Sequence, residues 1–206
     1  MKHFIFDVDG TLSDTVKATA RVIGELSEKW GFPAAGEDAI REAMGYPSLE
    51  FCRKLLPACG GGRLRRFEAE LSLAEDAAIR SIGGAILFPG VAETLGRLKE
   101  TGAELYAAST GSPSHVAAVL EASGISSLFT EICCGKPRKV EMVRTIVKRD
   151  DPSRFVMVGD KRFDAEAAGR NGIHSVGAGY GYCTERDYDL FDEIISRPEA
   201  LLDMAF

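Results

Sequence analysis

The chain has 206 residues, enough for one sizeable buried core plus a small accessory module. Its apolar content of 45% is ordinary for a globular protein, and a formal net charge of −6 argues against a nucleic-acid polymer or an anionic membrane surface as its main partner. No apolar run approaches the length of a membrane span, and the first strand begins almost at the N-terminus without a secretory signal before it, so the cytoplasm is the expected compartment.

Phe4-Ile5-Phe6 reads as a strand that runs into Asp7-Val8-Asp9-Gly10-Thr11. Side chains alternate along a strand, so regular β geometry cannot aim Asp7 and Asp9 into one pocket. Gly10 and Thr11 let the chain turn there and gather both carboxylates around one centre. Carboxylates held that close repel one another and resist desolvation, and a cation between them is the natural remedy. A solvated junction between strand and loop is the plainer reading of the pair taken alone.

Residues 15–82 read as a helical insert. Its first helix runs from Thr15 to about Trp30 with Val16, Ala20, Ile23 and Ser27 at helical spacing, and Gly31 with Pro33 stops it. A second helix covers Glu37 to Met44 and a third Ser48 to Leu56, and Gly60-Gly61-Gly62 separates a fourth that ends near Ile82. Arg53, Lys54, Arg63, Arg65 and Arg66 make this segment locally basic, which suits an anionic substrate or a simple solvated face. Pro89-Gly90 opens a helix from Val91 to Glu100, and Gly102 ends it. Strands are expected near 103–108, 131–134, 154–158 and 173–176, with helices at 113–123, 139–149 and 162–171.

Strands alternating with helices predict an α/β fold: a Rossmann-like parallel sheet covered on both faces, made of residues 1–14 and 83–206, with residues 15–82 as an inserted α-helical cap. Ligands of such sheets bind beyond the carboxyl ends of the strands, and Asp7, Ser109 and Asp160 each fall at such an end. The five cysteines form no CxxC pair and are read as reduced thiols; Cys133-Cys134 is redox-sensitive or small apolar filling. His3, His115 and His174 show no metal-ligand spacing.

Four stretches in order carry a resemblance. Asp7-Val8-Asp9-Gly10-Thr11 matches DxDGT, and Leu105-Tyr106-Ala107-Ala108-Ser109-Thr110-Gly111 is a hydrophobic strand ending in serine. Lys136 or Lys139 supplies a lone lysine near a helix start, and Gly159-Asp160-Lys161-Arg162-Phe163-Asp164 matches GDxxxD. Together they resemble the haloacid dehalogenase-like hydrolase superfamily, and over residues 1–195 its phosphoglycolate phosphatase-like group with a small helical cap. The resemblance implies Asp7 as nucleophile on phosphorus and Asp9 as acid to the leaving alcohol, then base to water. It implies Mg²⁺ held by the Asp7 carboxylate, the Asp9 backbone carbonyl and the Asp160 carboxylate. Asp164 would orient ligand waters or the lysine, or else cap a helix.

By the same resemblance Ser109 donates to a phosphoryl oxygen, its alternative being a helix N-cap. Thr110 stands where members commonly have Asn. Lys139, which immediately opens a helix, is preferred over Lys136 of Gly135-Lys136-Pro137. Tyr46 in Gly45-Tyr46-Pro47-Ser48 is a candidate for substrate contact or for packing within the cap, and Tyr180-Gly181-Tyr182 for lining the crevice. The expected partner is a small phosphorylated metabolite, with the chain a monomer or homodimer. A pyrophosphatase or 5′-nucleotidase shares these motifs. A sugar-phosphate mutase would carry histidine where this chain has Thr19, and a dehalogenase would lack Asp9.

Overall fold

The computed structural model describes residues 2–204. Strands β1 (His3–Phe6), β2 (Glu104–Ser109), β3 (Phe129–Cys134), β4 (Phe155–Gly159), β5 (His174–Ala178) and β6 (Glu193–Ile195) form one sheet in the order β3-β2-β1-β4-β5-β6. Every neighbouring pair is parallel, with Phe6 opposite both Ala107 of β2 and Val158 of β4. The sheet is buried because helices cover both faces, and β1 alternates between them. Phe4 and Phe6 join one large apolar cluster, while Ile5 joins a second with Met142, Ile146, Phe155 and Met157.

Between β1 and β2 lie α1 (Val16–Trp30), α2 (Glu37–Ala43), α3 (Ser48–Leu55), α4 (Gly61–Ile82) and α5 (Val91–Glu100). Further on come α6 (Pro113–Ala122), α7 (Lys139–Val147), α8 (Arg162–Asn171) and a single turn, α9 (Glu185–Tyr188). On α1 the buried residues Val16, Thr19, Val22, Ile23 and Leu26 mark one face, and Gly31 ends the helix in the left-handed conformation with φ 70°. Leu64, Phe67 and Leu71 of α4 continue the apolar cluster from α1 to the sheet. Each fully buried side chain of that size is worth roughly 1.5–3 kcal/mol.

Three details depart from the sequence reading. The glycine run does not precede the fourth helix but starts it: Gly60 is the cap, and Gly61 and Gly62 are helical. First-turn N–H groups have no intrahelical partner in any case, so glycine costs little there. The segment after β5 adds the short α9 and the edge strand β6, whose three residues are too few for a readable period. The strand expected at 131–134 begins at Phe129.

Candidate active site

Because β1 is flanked by β2 and β4, and the chain leaves it toward β2 on one side and later returns to β4 on the other, a crevice forms at their carboxyl ends. Asp7 extends the ladder, its N–H donating to Val158 O at 2.9 Å, and it is buried. The chain then folds tightly: Leu12 N and Ser13 N both donate to Val8 O, and Gly10 N donates to Ser13 O at 2.9 Å. Gly10 takes φ 85°, and a Cβ there would lie 2.5 Å from Asp160 Oδ2, so glycine is required twice over. This turn puts Asp7 and Asp9 on the wall of one cavity, with about 630 Å³ of free space including its open mouth.

Beside this wall, carboxylate oxygens of Asp7, Asp160 and Asp164 lie within 4.8 Å of one another, all three residues buried, and of the three only Asp7 lines the cavity. Asp164 has both oxygens engaged. Its Oδ1 meets Lys139 Nζ at 2.5 Å, and its Oδ2 accepts from the backbone N–H of Asp160 and Lys161 at 3.1 and 2.9 Å. Asp160 differs: Oδ1 accepts from the Thr11 hydroxyl at 3.2 Å, whereas the buried Oδ2 has no hydrogen-bond partner. Burial, then the charges of Asp7 and Asp164, push the Asp160 carboxyl well above its ordinary range. Burial likewise raises Asp7 against the pull of Lys139. Crowded, partly orphaned carboxylate oxygens are the donor set of a hard divalent cation, so the residues fit Mg²⁺.

Lys139 opens α7 and is buried, with Nζ 2.7 Å from Asp7 Oδ1. Burial disfavours its charge, but Asp164 and Asp7 outweigh that and hold it as an ammonium. Lys136 instead lies exposed on the loop before α7 and is not part of the cavity wall, so the substrate contact expected of it has no geometric support. Ser109 at the end of β2 is buried on the cavity wall, its Oγ accepting from Gly111 N at 3.0 Å. The cap of α6 is Ser112, not Ser109.

Thr110 also lines the cavity, yet its hydroxyl donates to Gly45 O at 3.0 Å and so ties the loop after β2 to the one before α3. Tyr46 reaches the wall while packing edge-on against Phe163 and accepting from Arg162 at 2.8 Å. The cavity contact anticipated for it is present, whereas the ring it packs on, Phe163, belongs to α8 and not to residues 15–82. Tyr182 stands apart from this cavity. Its hydroxyl accepts from Val16 N and donates to Asp14, both at 2.9 Å, which fixes the start of α1.

One residue escaped the sequence reading. His115, in the first turn of α6, places Nε2 2.9 Å from Asp9 Oδ1, and Asp9 also accepts from the Thr15 hydroxyl at 2.9 Å. An ionised carboxylate only accepts, so Nε2 carries the hydrogen. Burial opposes the imidazolium, but Asp9, Glu75 and Asp76 push its pKa up to about 10. Burial would raise Asp9, yet the charge and hydrogen bond of His115 hold it below its ordinary value. Its signal was positional only, six residues after Ser109 and on the next helix.

The basic character expected of the insert does not reach the cavity. Arg63 lies over Phe32, Lys54 lies over the Tyr46 ring, and among the described residues no lysine or arginine lines the wall. Those residues belong to the solvated face.

A family model described as haloacid dehalogenase-like hydrolase matches residues 1–172. The chain is similar to a phosphoglycolate phosphatase of Pseudomonas putida, 29% identical over 90% of this chain and 72% of that one. Another, of Synechococcus elongatus, is 27% identical over 88% of this chain and 85% of its own length. Among solved structures, that of a predicted phosphoglycolate phosphatase from Haemophilus somnus superposes with a TM-score of 0.87 at 24% identity, covering 98% and 97% of the two chains.

Proposed function

The chain belongs to the haloacid dehalogenase-like hydrolases and is a phosphatase of that family, and from that premise we propose that it hydrolyses a small phosphate monoester through an aspartyl phosphate on Asp7, with Mg²⁺ as cofactor. The observation that carries this is Asp7 itself: a buried carboxylate on the wall of a cavity, with the Lys139 ammonium 2.7 Å behind it. Asp160 and Asp7, with the Asp9 backbone carbonyl, would hold the metal, which when bound supplies neutralisation of phosphoryl-oxygen charge.

In the first displacement an Asp7 oxygen forms a bond to phosphorus as the ester P–O bond breaks. The electron pair leaves with the alcohol oxygen; Asp9, ionised in the free site, takes up a proton as the negatively charged substrate enters and passes it to that oxygen. His115 Nε2–H, bonded to Asp9 Oδ1, orients that carboxyl. The Ser109 hydroxyl would donate to a phosphoryl oxygen, and Lys139 would offset the charge gathered there. In the second displacement water attacks phosphorus, its proton passes to Asp9, and phosphate and free Asp7 result. Asp164 orients Lys139 and the Asp160–Lys161 backbone.

The test is phosphate release from a panel of monoesters with Mg²⁺ and with EDTA. Metal-dependent turnover by the native chain and loss of at least about 10³-fold in Asp7→Asn, with an unchanged circular dichroism spectrum, is the expected result. Near-normal Mg²⁺-dependent activity in Asp7→Asn would refute the mechanism. Asp9→Asn should lose most on esters of poorly acidic alcohols and least on aryl phosphates, whose leaving groups need no proton.

A further inference from the structure

One part of the wall of the cavity that Asp7 lines comes from α4. Glu68, Leu71, Ser72 and Glu75 fall at i, i+3, i+4 and i+7, one stripe of that helix, and all four line the cavity. Glu75 is largely buried and held by the Thr19 hydroxyl, so its carboxylate is fixed in place. The one cationic side chain of the wall, His115, is already committed to Asp9 at 2.9 Å, with Glu75 and Asp76 at 3.7 and 3.8 Å. Apart from Asp7, Asp9 and the Cys52 thiol, the remaining polar side chains of the wall are hydroxyl groups, and among the described residues neither lysine nor arginine lines it to receive an anion.

The alcohol part of a substrate must lie against this surface while its phosphorus meets Asp7. We propose, resting on the phosphatase reading, that the substrate's alcohol presents hydrogen-bond donors, hydroxyl or ammonium, to Glu68 and Glu75 and carries no carboxylate. Carboxylate oxygens only accept, so donors on the ligand add to their hydrogen bonds, while a second anion offers none and adds like-charge repulsion. The inference separates this chain from the phosphoglycolate phosphatases it is similar to, since the ester in their name carries a carboxylate.

Three esters of matched length isolate the effect: 2-phosphoglycolate, ethylene glycol monophosphate and O-phosphoethanolamine, ending in carboxylate, hydroxyl and ammonium. Their kcat/KM values are measured at pH 7.5 with Mg²⁺, beside p-nitrophenyl phosphate. The expected result is a preference of about 10²-fold for the hydroxyl and ammonium esters over 2-phosphoglycolate, which is about 2.7 kcal/mol. Glu68→Gln and the Glu68→Gln/Glu75→Gln pair should shrink the gap stepwise to within about tenfold. Glu68 alone, only half-buried, gives a variant that keeps the fold should the pair not. Equal or better turnover of 2-phosphoglycolate, a gap that survives both variants, or hydrolysis of the aryl ester with none of the three, each overturns the inference while the phosphatase reading stands. Silence toward all four esters overturns that reading, and this one with it.

Discussion

Lys139→Met removes a buried ammonium and keeps the bulk of its stem. The cation sits 2.7 Å from Asp7 and 2.5 Å from Asp164, and the carboxylate oxygens it balances lie within 4.8 Å of one another. At an effective dielectric of 20, like charges 4.8 Å apart repel by about 3.5 kcal/mol, and breaking a buried ion pair from one side costs about 3–5 kcal/mol. For a chain of 206 residues that corresponds to a fall in Tm of about 6–20 °C. The assay is thermal unfolding followed by circular dichroism in EDTA, so that no metal substitutes for the lost charge. The pH dependence gives a second check. Asp7 is already raised by burial despite Lys139, and without the lysine it rises further. The unfolded chain releases this proton at about pH 4 in both proteins, a step that cancels, so the added penalty is full above the variant's raised value and shrinks as pH falls toward about 7, where the native Asp7 itself takes up a proton. Asp164→Asn added to Lys139→Met should return part of the loss through a coupling of at least about 1 kcal/mol. A Tm change under about 3 °C in EDTA at pH 7.5, or a penalty that grows on acidification, would refute the account of Lys139 as the counter-charge of this cluster.

Gly181→Ala should disrupt the site from a distance, because its Cβ would lie 1.7 Å from Gly10 O and push the motif turn away from Asp160. A loss of at least about 2 kcal/mol in denaturant unfolding together with lower kcat checks this, and an unaltered variant would show that the approach is not needed. His115, whose folded pKa of about 10 lies above the unfolded value of about 6.5, contributes stability that is complete below pH 6.5 and lost as pH rises toward 10. His115→Gln should therefore show a flatter Tm profile than the native chain between pH 7 and 10, and parallel profiles would contradict the pairing with Asp9.

What the sequence determined by itself was whatever a local period or a short motif encodes. Buried strands such as Phe155–Gly159, the amphipathic face of α1 and the glycine stops are written in neighbouring residues, so the α/β architecture and all but the shortest elements were readable. Asp7, Asp9 and Asp160 were legible because each follows a strand into a turn, and parallel order then gathers strand ends. The choice between Lys136 and Lys139 was not local. It depends on where the turn at Gly135, φ 72°, delivers the start of α7, and only Lys139 then faces Asp7. His115 reaches Asp9 across 106 positions, and Glu75 reaches Thr19 across 56. Such contacts leave no spacing to read, since they arise when helices packed by apolar faces set their polar edges together. The basic residues of the insert show the same limit: composition counted the charges, but helix phase turned Glu68 and Glu75 of α4 toward the cavity and its arginines to solvent, and phase relative to a neighbour exists only in the folded chain.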